Sequence, residues 1–184
     1  PDCLSSEVIA LLNELNAIKP VWVELGLQTI HKKSAEYIRR GYELTVYDEA
    51  VKSLHGIGVS VIVHMIIGLP GESEQMIYET AEYIVKTADG IKMHMLYVQK
   101  GTDLYTEYQK GCVPLLDMDR YIDILIGCIE RLPENIVIHR MTGDGDKKTL
   151  VAPMWTANKR HVLNSISVRF RAVEIKQCRL FQKY

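Results

Sequence analysis

The chain has 184 residues, 47% apolar and 24% charged, with a formal net charge of −1, the balance of an ordinary globular protein. That length can bury a sizeable core and makes one folding unit the default. No apolar run reaches the ~18 residues of a membrane span and no stretch reads as a signal peptide, although Pro1 suggests a start inside a longer protein.

Ser5 or Ser6 caps a first helix whose apolar face is Val8, Leu11, Leu12 and Leu15, and Pro20 ends it. An apolar strand follows over residues 21–29, with Glu24, Gly26 and Gln28 alternating onto one face. A short helix from Lys32 to Arg40 stops at Gly41. Thr45 and Asp48 form a capping box for the next helix, whose core face is Tyr47, Ala50, Val51 and Leu54. Residues 59–67 are almost unbroken apolar, as in a parallel strand covered on both faces. Gly68-Leu69-Pro70-Gly71 turns the chain into a helix capped by Ser73. The third strand covers Ile91 to Val98. A helix bearing Tyr121, Ile124, Leu125, Cys128, Ile129 and Leu132 precedes a short fourth strand, Ile136 to His139. Met141 to Pro153 reads as loop, and a last helix runs from about Ala157 to Ala172.

Strands alternating with helices predict an α/β fold with a parallel sheet. Four strands are too few for a closed (β/α)8 barrel. Charge is uneven: from His139 onward there are 10 Lys/Arg against 3 Asp/Glu, and before it 12 against 20. A basic tail suggests a polyanionic partner such as RNA, or simply a solvated helix face. Cys3, Cys112, Cys128 and Cys178 lie too far apart for zinc or cluster spacing. Scattered thiols fit a reducing cytoplasm.

Three positions carry candidate chemistry. Glu24 and Gln28 on an apolar strand need polar partners, either a ligand's hydroxyl or amino groups or a polar network within the core. His64, inside the second strand, is either a satisfied core histidine or a ligand contact. Gly68 to Glu72 suits an anion or zwitterion near a helix N-terminus as well as plain turn chemistry.

Taken together, Glu24-Leu-Gly-Leu-Gln28-Thr29, Gly68-Leu69-Pro70-Gly71 and Lys92 through Leu104 with Gly101-Thr102 resemble the radical S-adenosylmethionine enzymes. The resemblance is closer to the Elongator-catalytic-subunit-like branch than to oxygen-independent coproporphyrinogen oxidases. Pro1-Asp2-Cys3 and His139-Arg140-Met141-Thr142-Gly143-Asp144 are similar to an uncharacterised bacterial set of that branch. The resemblance implies the C-terminal half of a partial (β/α)6 TIM-like barrel over residues 1–140, with a basic loop-and-helix extension over residues 141–184.

It also implies a site for S-adenosyl-L-methionine. Gln28 matches a position that contacts the sulfonium cofactor. Arg40 matches an Arg that pairs with the methionyl carboxylate. His64 stands where the porphyrin-oxidising branch has an Asp on the ribose. Leu96, Tyr97 and Val98 lie where the family strand contacts adenine through backbone groups. The family's 4Fe–4S cluster sits on a Cys-x3-Cys-x2-Cys loop that these cysteines do not supply, which places its ligands, with the first three strands, elsewhere in the intact protein. Relatives that modify wobble uridine suggest tRNA as substrate. A non-catalytic binding module, or a (β/α) enzyme holding phosphate in the Gly-Leu-Pro-Gly loop, are the alternatives. The strand from Val21 is expected to be a sheet edge through which the chain self-associates.

Overall fold

In the computed structural model, which describes residues 1–143 and 145–181, Val23, Leu25, Leu27 and their neighbours lie in β1 (Trp22–Gln28), which Val21 just precedes. It is followed by β2 (Ser60–Ile67), β3 (Gly90–Met95) and β5 (Val137–Arg140) in one parallel sheet of order β1-β2-β3-β5. Register is set by pairs such as Leu25 with Val63 and Met65 with Met93. Alternation puts Leu25, Leu27, Val61, Val63, Met65, Ile67, Ile91, Met93 and Met95 on one face, all buried. The open sheet with covering helices is the half-barrel architecture expected from the sequence.

Three helices cover that face. α3 (Leu44–Gly56) contributes Tyr47, Ala50, Val51 and Leu54. α4 (Glu74–Val85) contributes Ile77, Ala81 and Ile84. α6 (Met118–Glu130) contributes Tyr121, Leu125, Cys128 and Ile129. Each fully buried large apolar side chain stabilises by about 1.5–3 kcal/mol relative to exposure, so these faces and the strands account for the core. α7 (Lys159–Ala172) adds Val162 and Ile166 to the same core. α1 (Ser6–Ile18), capped by Ser5, has no buried residue and leaves Val8, Leu11, Leu15 and Ile18 exposed. With the exposed Trp22 it lies at the β1 end, and β1 has a neighbour on only one side.

Several boundaries differ from the sequence reading. The third strand ends at Met95. Val98 instead opens β4 (Val98–Gln99), which pairs antiparallel with β6 (Leu150–Ala152), so the segment 141–153 is not wholly loop. Strand pairing between segments some fifty residues apart leaves no local periodicity. Thr45 is not a cap: α3 starts one residue before it, at Leu44, and its N-cap is Glu43, whose side chain makes no cap bond. α2 spans only Lys32–Tyr37. α5 (Asp103–Gln109) lies in a stretch to which the sequence reading gave no element, and Thr102 of Gly101-Thr102 is its N-cap, accepting from the Tyr105 amide at 3.1 Å. Asp144, the end of the His139-to-Asp144 motif, and Lys183 at the tail lie outside the described residues.

Candidate functional site at the carboxyl end of the sheet

The two strand-to-loop motifs converge in space. Thr29, fully buried just past β1, donates its hydroxyl to Glu72 Oε1 at 2.6 Å, which ties the β1 exit to the Gly-Leu-Pro-Gly turn. Gln28 sits at φ 66°, where the ladder to β2 slips by one residue. This bulge re-aims its side chain. The Gln28 amide folds over Gly26, and its Nε2 lies 3.0 Å from where a Cβ at that position would be. A side chain at Gly26 would push the Gln28 amide aside.

Arg40 returns to the same strand end. Its Nη1 donates to the Thr29 carbonyl at 2.8 Å and the Leu27 carbonyl at 3.3 Å, and its Nε to the Tyr42 carbonyl at 3.0 Å. The guanidinium also lies over the Tyr42 ring, 4.8 Å from its centroid. Tyr42 in turn donates its hydroxyl to the Gly26 carbonyl. Gln28 and Arg40, twelve positions apart in sequence, are thus neighbours. Among the described residues the Gln28 amide and the Arg40 Nη2 have no hydrogen-bond partner.

Beyond β2 and β3 lies a cleft of about 350 Å³, lined by Ile66, Leu69, Leu96, Leu104 and Tyr37 among others. α2 and α5 close over it through Tyr37 Oη to Glu107 Oε2 at 2.6 Å and Arg39 Nη1 to Asp103 Oδ2 at 2.6 Å. Burial, then the hydrogen bond to Glu107, pushes the Tyr37 phenol up to about 12, so it stays a donor. Leu96 lines the cleft, but its amide is spent on the Ile67 carbonyl at 3.0 Å. Val98 belongs to the small second sheet. The Tyr97 ring packs against Gly143 and Gly145. Of the three, Leu96 alone lines the cleft.

The face of the sheet away from the helices carries a polar layer. Lys92 Nζ donates to Glu24 Oε1, and His64 Nε2 lies 2.7 Å from Glu24 Oε2. Lys92 and then His64 hold the Glu24 carboxyl down at about 2. Glu24 is therefore an acceptor at neutral pH, and His64 Nε2 carries the proton between them. His94 stacks on His64 with centroids 5.3 Å apart and planes at 17°. Burial, then the charges of His64, Arg140 and Lys92, pulls His94 down to about 4, leaving it neutral at pH 7. Its Nε2 is buried without a partner. Glu24 and His64, read from sequence as separate candidates, form one network, and His64 is the register partner of Gly26, over which the Gln28 amide folds. Lys92, His94 and Arg140 were missed as site residues. The Lys92-Met93-His94-Met95 alternation signals the first two, whereas Arg140 depends on pairing between β3 and β5.

The residues present do not fit an iron–sulfur cluster. Among the described residues no three His, Cys, Asp or Glu side chains group to hold a metal. Cys3 and Cys112 are exposed, while Cys128 is buried with its thiol pushed up to about 12. A cluster needs convergent thiolates.

Residues 1–84 match the Radical SAM superfamily and residues 88–172 the Radical_SAM C-terminal domain. The protein YtqA of Bacillus subtilis (strain 168) is 38% identical over 184 residues, 100% of this chain and 57% of the relative. The tRNA uridine(34) acetyltransferase of Methanocaldococcus jannaschii is 29% identical over 118 residues, 60% of this chain and 21% of the relative. In fold, the chain is similar to a solved structure of the archaeal Methanocaldococcus infernus Elp3 with an N-terminal deletion. That likeness has a TM-score of 0.75 at 18% identity, covering 94% of this chain and 40% of that one. The chain spans about half the length of YtqA and of other curated relatives it matches. With both motif-bearing strand ends meeting in space and the two matches following one another along nearly the whole chain, the protein belongs to the radical SAM superfamily, on its Elongator-like branch.

Proposed function

We propose that this chain is the cofactor- and substrate-binding half of a radical S-adenosylmethionine enzyme whose cluster ligands lie outside it. The observation that carries this reading is the meeting of Gln28 and Arg40 at the carboxyl end of β1, each with an unpaired donor, beside an apolar cleft. Ligands in α/β folds gather at the carboxyl ends of strands. A guanidinium and a primary amide suit the carboxylate and amino ends of the methionyl group. The cleft at Leu96 has the apolar walls an adenine needs. When bound, the cofactor supplies a carbon-centred radical for hydrogen abstraction. This chain's residues hold it, with Thr29 and Glu72 fixing the loop on which Gln28 is mounted.

The substrate in this reading is tRNA, contacted by the basic segment that follows β5. Its support is the similarity to proteins named for tRNA uridine(34) acetylation and the excess of Lys and Arg after residue 138. Four free thiols suit a reducing cytoplasm, and among the described residues no helix is long and apolar enough to cross a membrane. The bare β1 edge and the exposed face of α1 are where the isolated chain self-associates.

The test is Arg40→Ala in the intact, cluster-bearing protein. A charge-assisted pair in a half-buried site contributes on the order of 2 kcal/mol. S-adenosylmethionine binding, read by titration calorimetry, should weaken by about thirtyfold. Unchanged affinity would remove Arg40 from the site and with it this placement of the cofactor.

A further inference from the structure

We propose that the face of the sheet away from the helices holds an oxyanion subsite, in which Arg140, Lys92 and the His94 imidazole receive a phosphate or carboxylate group of the substrate. It deepens the reading above, on which it rests only for the identity of the occupant as substrate.

Charge is the first argument. Lys92 and Arg140 are paired Cα to Cα on β3 and β5 just past a slip in the ladder, and the charge of Arg140 reaches His94, which shares the Lys92 face. Like charges directly opposite one another destabilise a sheet. Glu24 is the carboxylate that answers them, and it is already divided between Lys92 and His64. Arg140, half-buried, has no ion pair or hydrogen bond among the described residues. Two cationic side chains, Lys92 and Arg140, against the single carboxylate of Glu24 leave this layer with one surplus positive charge.

Geometry is the second argument. His94 follows Lys92 by two residues on β3 and so shares its face, and its Nε2 is buried and orphaned. An unpaired buried polar atom costs about 1–3 kcal/mol and is rare enough to need a reason. Arg140 and Lys92 both act on His94 electrostatically, so the three lie close together. The absent partner must be negative, to offset the surplus charge. It must offer several oxygens, to meet the planar fork of Arg140 and an imidazole N–H at once. A neutral ligand leaves the repulsion in place, and a cation increases it.

The experiment titrates the 184-residue chain at low salt with inorganic phosphate and, separately, with acetate, while imidazole NMR signals follow His94. Phosphate should bind and raise the titration of His94 from about 4, because a nearby anion favours the protonated ring. Arg140→Gln should weaken binding about tenfold, and His94→Gln should weaken it severalfold. Glu24→Gln should strengthen it by releasing Lys92, an opposite sign that a purely structural role would not give. Tighter phosphate than acetate assigns the subsite to a phosphorylated substrate, and the reverse to a carboxylate. Binding that ignores Arg140→Gln, or that Arg140→Gln and Glu24→Gln weaken alike, would overturn the subsite. Displacement of phosphate by S-adenosylmethionine would overturn it too, since the cofactor would then be the anion. Phosphate binding of the expected kind beside unchanged cofactor affinity in Arg40→Ala would sink the cofactor placement and leave the subsite standing.

Discussion

Glu24 and His94 pull on stability in different pH windows. The folded Glu24 carboxyl sits at about 2 against an ordinary 4.5, so its contribution is present above 4.5 and is lost as pH falls through 2. His94 is depressed from 6.5 to about 4, so the unfolded chain takes up its proton first and stability drains away as pH falls from 6.5 to 4. Denaturant unfolding midpoints across pH should therefore decline in two stages. His94→Gln should flatten the upper stage alone and Glu24→Gln the lower, and a midpoint profile that neither variant alters would refute the assignment. At this scale the sequence was partly legible. A Glu, a Gly and a Gln spaced by two on an apolar strand announced a polar face, and the structure finds Glu24 there. What one chain segment cannot announce is the partner. His64 reaches Glu24 across a strand pairing of 40 residues' separation, and Lys92 across 68. For the same reason, nothing in the local pattern marked Arg140 as the residue left unpaired.

The turn from β2 into α4 rests on Gly68, which has φ +92° and faces the Leu116 side chain, 2.9 Å from where a Cβ would lie. Gly68→Ala meets both a backbone conformation that costs an L-residue roughly 1–2 kcal/mol and a crowded neighbour. Chemical denaturation should find a loss of about 2 kcal/mol. A loss within error would mean that the turn relaxes freely. Elements with their own periodicity or cap were readable: α1 from Ser5, α4 from Ser73, and α6 from its apolar stripe. Those made by distant pairing were not. β4 and β6 are two and three residues long and exist because Val98 meets Ala152. α5, seven residues long, went unassigned, although Thr102 and Asp103 are good helix-start residues. The capping box expected at Thr45 failed because the helix begins at Leu44, and helix starts are the least constrained part of such a pattern.

Across the whole molecule, the basic tail and the acidic body turn out to meet. Arg169 bridges Asp119 at 3.1 Å and Asp123 at 2.9 Å on α6, and Arg179 pairs with Glu130 at 3.1 Å. Part of the charge asymmetry read from sequence is therefore spent internally, and RNA contact falls to exposed groups such as Lys147, Lys148 and Arg160. If RNA is the partner, as proposed, and these groups track its phosphates, tRNA affinity of the intact protein should fall steeply with salt, and reversing all three to Glu should weaken binding and flatten the salt slope. Affinity indifferent to both would favour a small-molecule substrate. The four-stranded open sheet was legible because βα alternation, strand count and the absent cluster loop all pointed to half a barrel. The cluster itself supplies the last prediction. Reconstituting this chain anaerobically with iron and sulfide should yield no stable iron–sulfur chromophore and no reductive cleavage of S-adenosylmethionine. The cysteines are dispersed along the chain, two are exposed and Cys128 is fully buried. Its thiol, raised to about 12 by burial, resists forming the thiolate that iron requires. A cluster held by three or four thiolates cannot assemble on groups that do not converge. A coloured, cluster-bearing chain whose absorption disappears with Cys128→Ser would show that these cysteines gather after all, and would move the catalytic centre into this half of the barrel.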